Sequence, residues 1–168
     1  VSVPTGNGYD VTVYVRQKLK GTTQYANANH LEISFMNAGW QTITDTLVFS
    51  GITGSKTFHV PFLPVEVMAD LEEKISDATT DVAKTLKSTG EYDYQHTYCK
   101  VAVDQVTDSA FVRITHNWVA PDSLVVPQPG LRISDSRYWT VEGILPADFK
   151  AKGMFTYSRA ATLDKTLI

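Results

Sequence analysis

The sequence predicts an all-β fold, an antiparallel β-sandwich, and three observations carry that prediction. Alternation of apolar and polar residues with a period of two recurs in short segments, with β-branched residues at many of the alternating positions. Gly, Pro, Asn and Asp punctuate those segments at short intervals, leaving little room for long helices. The strand–helix–strand alternation that a parallel sheet requires is missing, as is any internal repeat of about 20 to 50 residues.

Each segment can be justified in turn. "YDVTVYVRQ" sets Tyr9, Val11, Val13 and Val15 against Asp10, Thr12, Tyr14 and Arg16, a half-buried strand. "HLEISFMN" does the same with Leu31, Ile33 and Phe35 facing inward. In "TDTLVFSGITGSKTFHVPF" two short apolar runs flank Gly51 and Gly54, which supply the positive φ that a hairpin turn needs, and Pro61 and Pro64 favour an edge strand or bulge. "VEVMADL" continues extended. Between Asp70 and Thr89, Leu71, Ile75, Ala78, Val82 and Leu86 approximate helical spacing while Thr79-Thr80 opposes it, so this stretch is expected to form a short helix or a turn. Strands resume with Thr97, Cys99, Val101 and Val103 on one face, and with Val112, Ile114, His116 and Trp118 on one face of "SAFVRITHNWV"; Val106 to Ser109 between them has the composition of a hairpin turn. Pro121 to Gly130 holds three prolines and no period, hence a loop or connector. "RYWTVEGILP" and "KGMFTYSR" supply the last strands.

Many short strands at this spacing suit an immunoglobulin-like sandwich. A chain of 168 residues with 43% hydrophobic content has enough apolar surface for a packed core. It accommodates one continuous domain, or two small sandwiches at 1–78 and 79–168 with one short helix or turn between them, the second truncated at its C-terminal end. The opening "VSVPTGNGYD" and the closing "SRAATLDKTLI" read as the ends of a piece of something longer.

Charge and chemistry exclude more than they select. Fifteen Lys+Arg against eighteen Asp+Glu give a formal charge of -3 without a basic block, so nucleic acid and anionic membrane surfaces are not expected partners. No stretch approaches the ~18 apolar residues of a membrane span. Cys99 is the only cysteine, which rules out an internal disulfide and any C-x-x-C site. The helical zinc motif H-E-x-x-H is absent; His30-Leu31-Glu32-Ile33-Ser34 has its Glu at the wrong offset and no second His, and His30, His59, His96 and His116 fall in separate segments. Asp104, Asp108, Asp122 and Asp135 lack EF-hand spacing. No G-x-S-x-G elbow occurs, and neither "TGNG" nor "GITG" leads into a helix that could cradle phosphate. No catalytic residue, metal ligand or cofactor is assigned to the chain.

One concentration of chemistry-bearing residues remains. "HNWVAPD" (116–122) and "SDSRYWTVEG" (134–143) bring His116, Trp118, Asp122, Arg137, Tyr138 and Trp139 into two short stretches. They make either a binding site or a structural corner in which strands end, Pro121 fixes φ and Asp122 caps a turn. Trp40, Trp118 and Trp139, at separate strand positions, fit core packing better than a platform. The alternative is a carbohydrate- or peptide-binding module that presents Tyr92, Tyr94, Tyr98 or Trp139 as an open face.

"PFLPVEVMADLEEKISDATTD", "SAFVRITHNWVAPDSL" and "ISDSRYWTVEGILPADFKAKGMFTYSRAATLD" resemble the region that follows the catalytic domain in secreted bacterial zinc aminopeptidases of the aminopeptidase N family. The resemblance covers most of the chain and is most specific at Asn117 to Asp122 and Arg137 to Ile144, with Phe155 and Tyr157 in the last strand. It implies a non-catalytic accessory β-region, exported to the cell envelope or medium, whose partners are the other domains of its own parent chain. Zinc is then the cofactor of an upstream catalytic domain, and without the zinc motif no catalytic residue carries over.

Overall fold

A computed structural model describes residues 1–75, 77–131 and 133–157. Ser76, Arg132 and the terminal apolar run from Ser158, on which the reading of a truncated second domain rests, lie outside them. The described residues form twelve strands and no helix. The chain divides into two compact units, Val1–Ser76 and Asp77–Ile168.

In the first unit, β1 (Ser2–Thr5) and β2 (Gly8–Arg16) form a hairpin around Gly6-Asn7, with Thr5 opposite Gly8. β3 (Asn29–Met36), β4 (Thr42–Phe49), β5 (Thr53–Val60) and β6 (Glu66–Ala69) complete two antiparallel sheets, ordered β1-β2-β5 and β4-β3-β6. Val11, Phe58 and Val60 from the first sheet meet Ile33, Phe35 and Leu47 from the second in one core. The rings of Phe35 and Phe58 lie 5.1 Å apart, tilted by 59°. Each such side chain taken fully out of water stabilises the fold by about 1.5–3 kcal/mol.

Two sequence expectations are corrected here. Gly51 does adopt a left-handed conformation, at φ +73°, but β4 and β5 are not a hairpin, because they belong to different sheets. Crossing over lets Leu47 and Phe58 meet from opposite sides of the core, whereas a hairpin would place both runs on one sheet. The helix option after Asp70 also fails. Asp70 and Glu73 sit at φ 44° and 49°, outside helical space, and the Asp70 carboxylate accepts the backbone N–H groups of Lys74 (2.9 Å) and Ile75 (3.0 Å). The result is a tight turn, with the Lys74 ammonium held by Glu32 (2.8 Å) and Glu72 (2.9 Å) and its pKa raised by those carboxylates.

The second half of the supposed helix is a strand. β7 (Thr79–Leu86) opens the second unit, its β-branched Thr79, Thr80 and Val82 suiting a pleated surface. β8 (Gly90–Tyr94), β9 (Cys99–Gln105), β10 (Ala110–Asn117), β11 (Tyr138–Ile144) and β12 (Lys150–Phe155) follow, ordered β11-β10-β7 and β12-β9-β8. Tyr94, Cys99, Val101 and Val103 from one sheet pack on Leu86, Ala110, Val112 and Ile114 from the other. Here too the expected hairpin at Val106–Ser109 is a crossing between sheets, since β9 and β10 do not pair.

The two units share one pairing scheme. In the first, β1 pairs β2, β2 pairs β5, β3 pairs β4 and β3 pairs β6. In the second, β8 pairs β9, β9 pairs β12, β10 pairs β11 and β10 pairs β7. These graphs coincide once β7 is matched to β6, so the second sandwich is the first with its last strand moved to the front. The chain thus holds one six-stranded design twice, in circularly permuted order.

Gly143 illustrates how closely β11 approaches β10. It stands opposite Val112, and a Cβ added there would collide with the Phe111 carbonyl oxygen. Gly143→Ala is expected to push β11 off its partner and destabilise the second unit by roughly 1–3 kcal/mol. Urea unfolding followed by circular dichroism measures this, and an unchanged midpoint would refute the close approach.

Candidate functional site

The β10–β11 ladder brings the two conspicuous sequence stretches together. His116 stands opposite Trp139 and Asn117 opposite Tyr138. Alternation then sends His116 and Trp139 to the inner face, and Tyr138 to the outer one. His116 is fully buried, stacked on Trp139 at 4.7 Å with 5° between the planes and packed on Trp118 at 4.1 Å. Arg137, also buried, places its guanidinium 4.9 Å from the centre of the Trp139 ring. Trp118, His116, Trp139 and Arg137 therefore form a continuous ladder of flat groups, held by dispersion and cation–π attraction.

Hydrogen bonds fix the two indoles. Trp139 Nε1 donates to the Thr97 carbonyl at 2.6 Å, and Trp118 Nε1 donates to Thr80 Oγ1 at 3.3 Å. Of the six predicted residues, His116, Trp118, Arg137 and Trp139 meet. Asp122 stands exposed in the 118–137 connection, and Tyr138 faces away. Trp40 belongs to neither core: it sits half-buried in the turn after β3 at φ 66°.

The sequence does not bring Tyr98, weighed above as a platform residue, or Phe155, read above in the last strand, to this corner. Tyr98 makes T-shaped ring contacts with His116 (5.6 Å) and Trp118 (5.8 Å), and Phe155 lies 5.1 Å from Trp139. Period-two reading placed Tyr98 on the outer face of a strand, but residues 95–98 form the turn of the β8–β9 hairpin, which redirects its side chain. No Gly or Asn marks that turn. Phe155 was legible as part of a strand, and only the β9–β12 register, with Phe155 opposite Cys99, puts it on the inner face.

The four aromatics considered as an open platform do not share one face. Tyr94 is fully buried, its hydroxyl donating to the Val112 carbonyl at 3.3 Å and its pKa pushed up by burial. Tyr92 is half-buried and donates to the Ser88 carbonyl, Trp139 is locked in the ladder, and only Tyr98 is open, at 49% exposure.

The remaining chemistry is dispersed. Cys99 lies in the core, where burial raises its thiol pKa and suppresses the reactive thiolate. His59 pairs with Asp10 at 3.0 Å on the surface of the other unit, and Asp104 pairs with Lys152 at 2.9 Å. Among the described residues no three His, Cys, Asp or Glu side chains converge as a metal site, so they do not fit a zinc ion. Comparison with family models, curated proteins and solved structures returned no match.

Proposed function

We propose that this chain is a non-catalytic accessory region of an exported zinc metallopeptidase of the aminopeptidase N-like kind, packing against or shaping access to a catalytic domain elsewhere in its parent chain. One observation carries the reading. The residues on which the resemblance is most specific, Asn117 to Asp122 and Arg137 to Ile144, include paired strand positions, and Trp118, Arg137 and Trp139 are committed to one packed ladder with His116. Side chains used this way specify architecture; a catalytic group has to keep an open position for its substrate. The partners are the other domains of the same polypeptide, zinc belongs to the catalytic domain, and the location is outside the cytoplasm.

The test compares the zinc-loaded parent polypeptide with the same polypeptide lacking residues 1–168, after both are shown to be folded. Loss of activity on long peptides with retained activity on small aminoacyl substrates is the expected result. Equal activity on both substrates removes the access role, and a parent without peptidase activity ends the metallopeptidase reading.

A further inference from the structure

We propose that the β8–β9 turn carries a binding site for a neutral sugar ring, centred on Tyr98. This inference is independent of the metallopeptidase reading. An open cleft of about 330 Å³ lies over the turn, walled by Asp93, Gln95, His96, Tyr98, Lys100 and Thr156 and floored by buried Tyr94 and Cys99. That volume is at the lower end of the roughly 300–1,000 Å³ of small-molecule sites.

The turn is built around one buried residue. Thr97 donates its N–H (3.1 Å) and its hydroxyl (2.7 Å) to the Tyr94 carbonyl, and its own carbonyl accepts Trp139 Nε1. With Thr97 fixed from both sides, its neighbours His96 and Tyr98 take left-handed conformations at φ 69° and 57°. A bulky residue is uncommon there and strained, whereas glycine fits freely. The Thr156 N–H holds the Tyr98 carbonyl at 2.8 Å, the ring meets His116 and Trp118 in T-shaped contacts, and the Arg137 guanidinium lies over one of its faces, 5.9 Å from its centre, which leaves the opposite face for a ligand. A strained, pre-positioned Tyr with half its surface open is a platform that loses little entropy when something stacks on it.

Charge and polarity narrow the ligand. Among the residues that line the cleft, Asp93 and Lys100 stand opposite each other in the β8–β9 register, so its walls carry one charge of each sign. The Gln95 amide and His96 imidazole add directional donors and acceptors beside the ring. An apolar face flanked by hydrogen-bonding groups, without net charge, matches a pyranose: its C–H face stacks on Tyr98 and its hydroxyls meet Gln95, His96 and Asp93. A peptide adding to the open edge of β8 would instead use that strand's backbone.

The experiment titrates the 15N-labelled chain with chitotetraose, maltotetraose, cellotetraose and a blocked, uncharged tetrapeptide, following amide shifts. The expected result is a saturable response to at least one oligosaccharide, confined to residues 93–100 and Thr156. Tyr98→Ala should weaken it at least about tenfold, equivalent to 1.4 kcal/mol. Because Tyr98 also covers His116 and Trp118, the exposed Asp93→Ala and Gln95→Ala variants are the cleaner test: weaker binding at an unchanged melting temperature. The proposal is overturned if no oligosaccharide gives a saturable response, if the response maps elsewhere, if only the tetrapeptide binds, or if Asp93→Ala and Gln95→Ala both bind like the parent.

Discussion

Trp139→Ala is expected to destabilise the second unit by about 3–5 kcal/mol, the range for truncating a large packed aromatic. Three losses coincide at this position. His116 loses the ring stacked on it at 4.7 Å, the Arg137 guanidinium loses its cation–π partner, and the Thr97 carbonyl loses the Trp139 N–H donor. Stranding a buried acceptor alone costs about 1–3 kcal/mol. Trp139→Phe separates the terms, because it keeps a stacking ring and removes only the N–H. Trp118→Ala supplies the comparison: Trp118 packs on His116 but lies outside the core cluster, and its N–H bond is longer, so its loss should cost less. Urea midpoints of the three variants rank these contributions. A Trp118→Ala loss equal to that of Trp139→Ala would sink the view that Trp139 is the centre of the ladder.

The comparison of these tryptophans also shows how far the sequence can be read. Alternation located most strands because each sheet buries one face, and a period of two survives in the sequence wherever that holds. It failed at β7, where Leu71, Ile75, Val82 and Leu86 mimic a helical stripe although Asp70 and Glu73 break the backbone with left-handed conformations. It also could not say which strands pair. Gly51 and the Val106–Ser109 segment carry hairpin chemistry, yet both connections cross between sheets, because core filling decides pairing and that is a long-range property. At the corner, His116, Trp118, Arg137 and Trp139 were legible as a concentration of unusual residues. Tyr98 was not, because its position depends on a turn without Gly or Asn, held in place by the distant Trp139 and Thr156. Gly143, by contrast, left a trace: a glycine inside a strand marks close backbone approach.

Asp81→Ala should cost about 3 kcal/mol, at the lower end for breaking a buried ion pair. Asp81 Oδ2 accepts the Arg113 Nε–H, and the two side chains are only 5% and 7% exposed. They lie on the face of β7 and β10 opposite to the one that sends Val82 and Ile114 into the core, so two charges are held dry outside the sandwich interior. Removing the carboxylate leaves a guanidinium that cannot shed its proton. Glu142 stands opposite Arg113 in the β10–β11 ladder with an exposed carboxylate that can compensate in part, which places the loss below the 5 kcal/mol extreme. The contrasting pair is Lys152–Asp104, with side chains 75% and 49% exposed, where Asp104→Ala should cost no more than about 1 kcal/mol and the effect should fade in high salt. Replacing both buried partners, Asp81→Leu with Arg113→Met, should recover most of the loss, since exchanging two desolvated charges for apolar groups is often neutral or favourable. Recovery by the double variant would show that the pair fixes the β7–β10 arrangement without adding net stability. A single variant as mild as Asp104→Ala would mean that water reaches Arg113 after all.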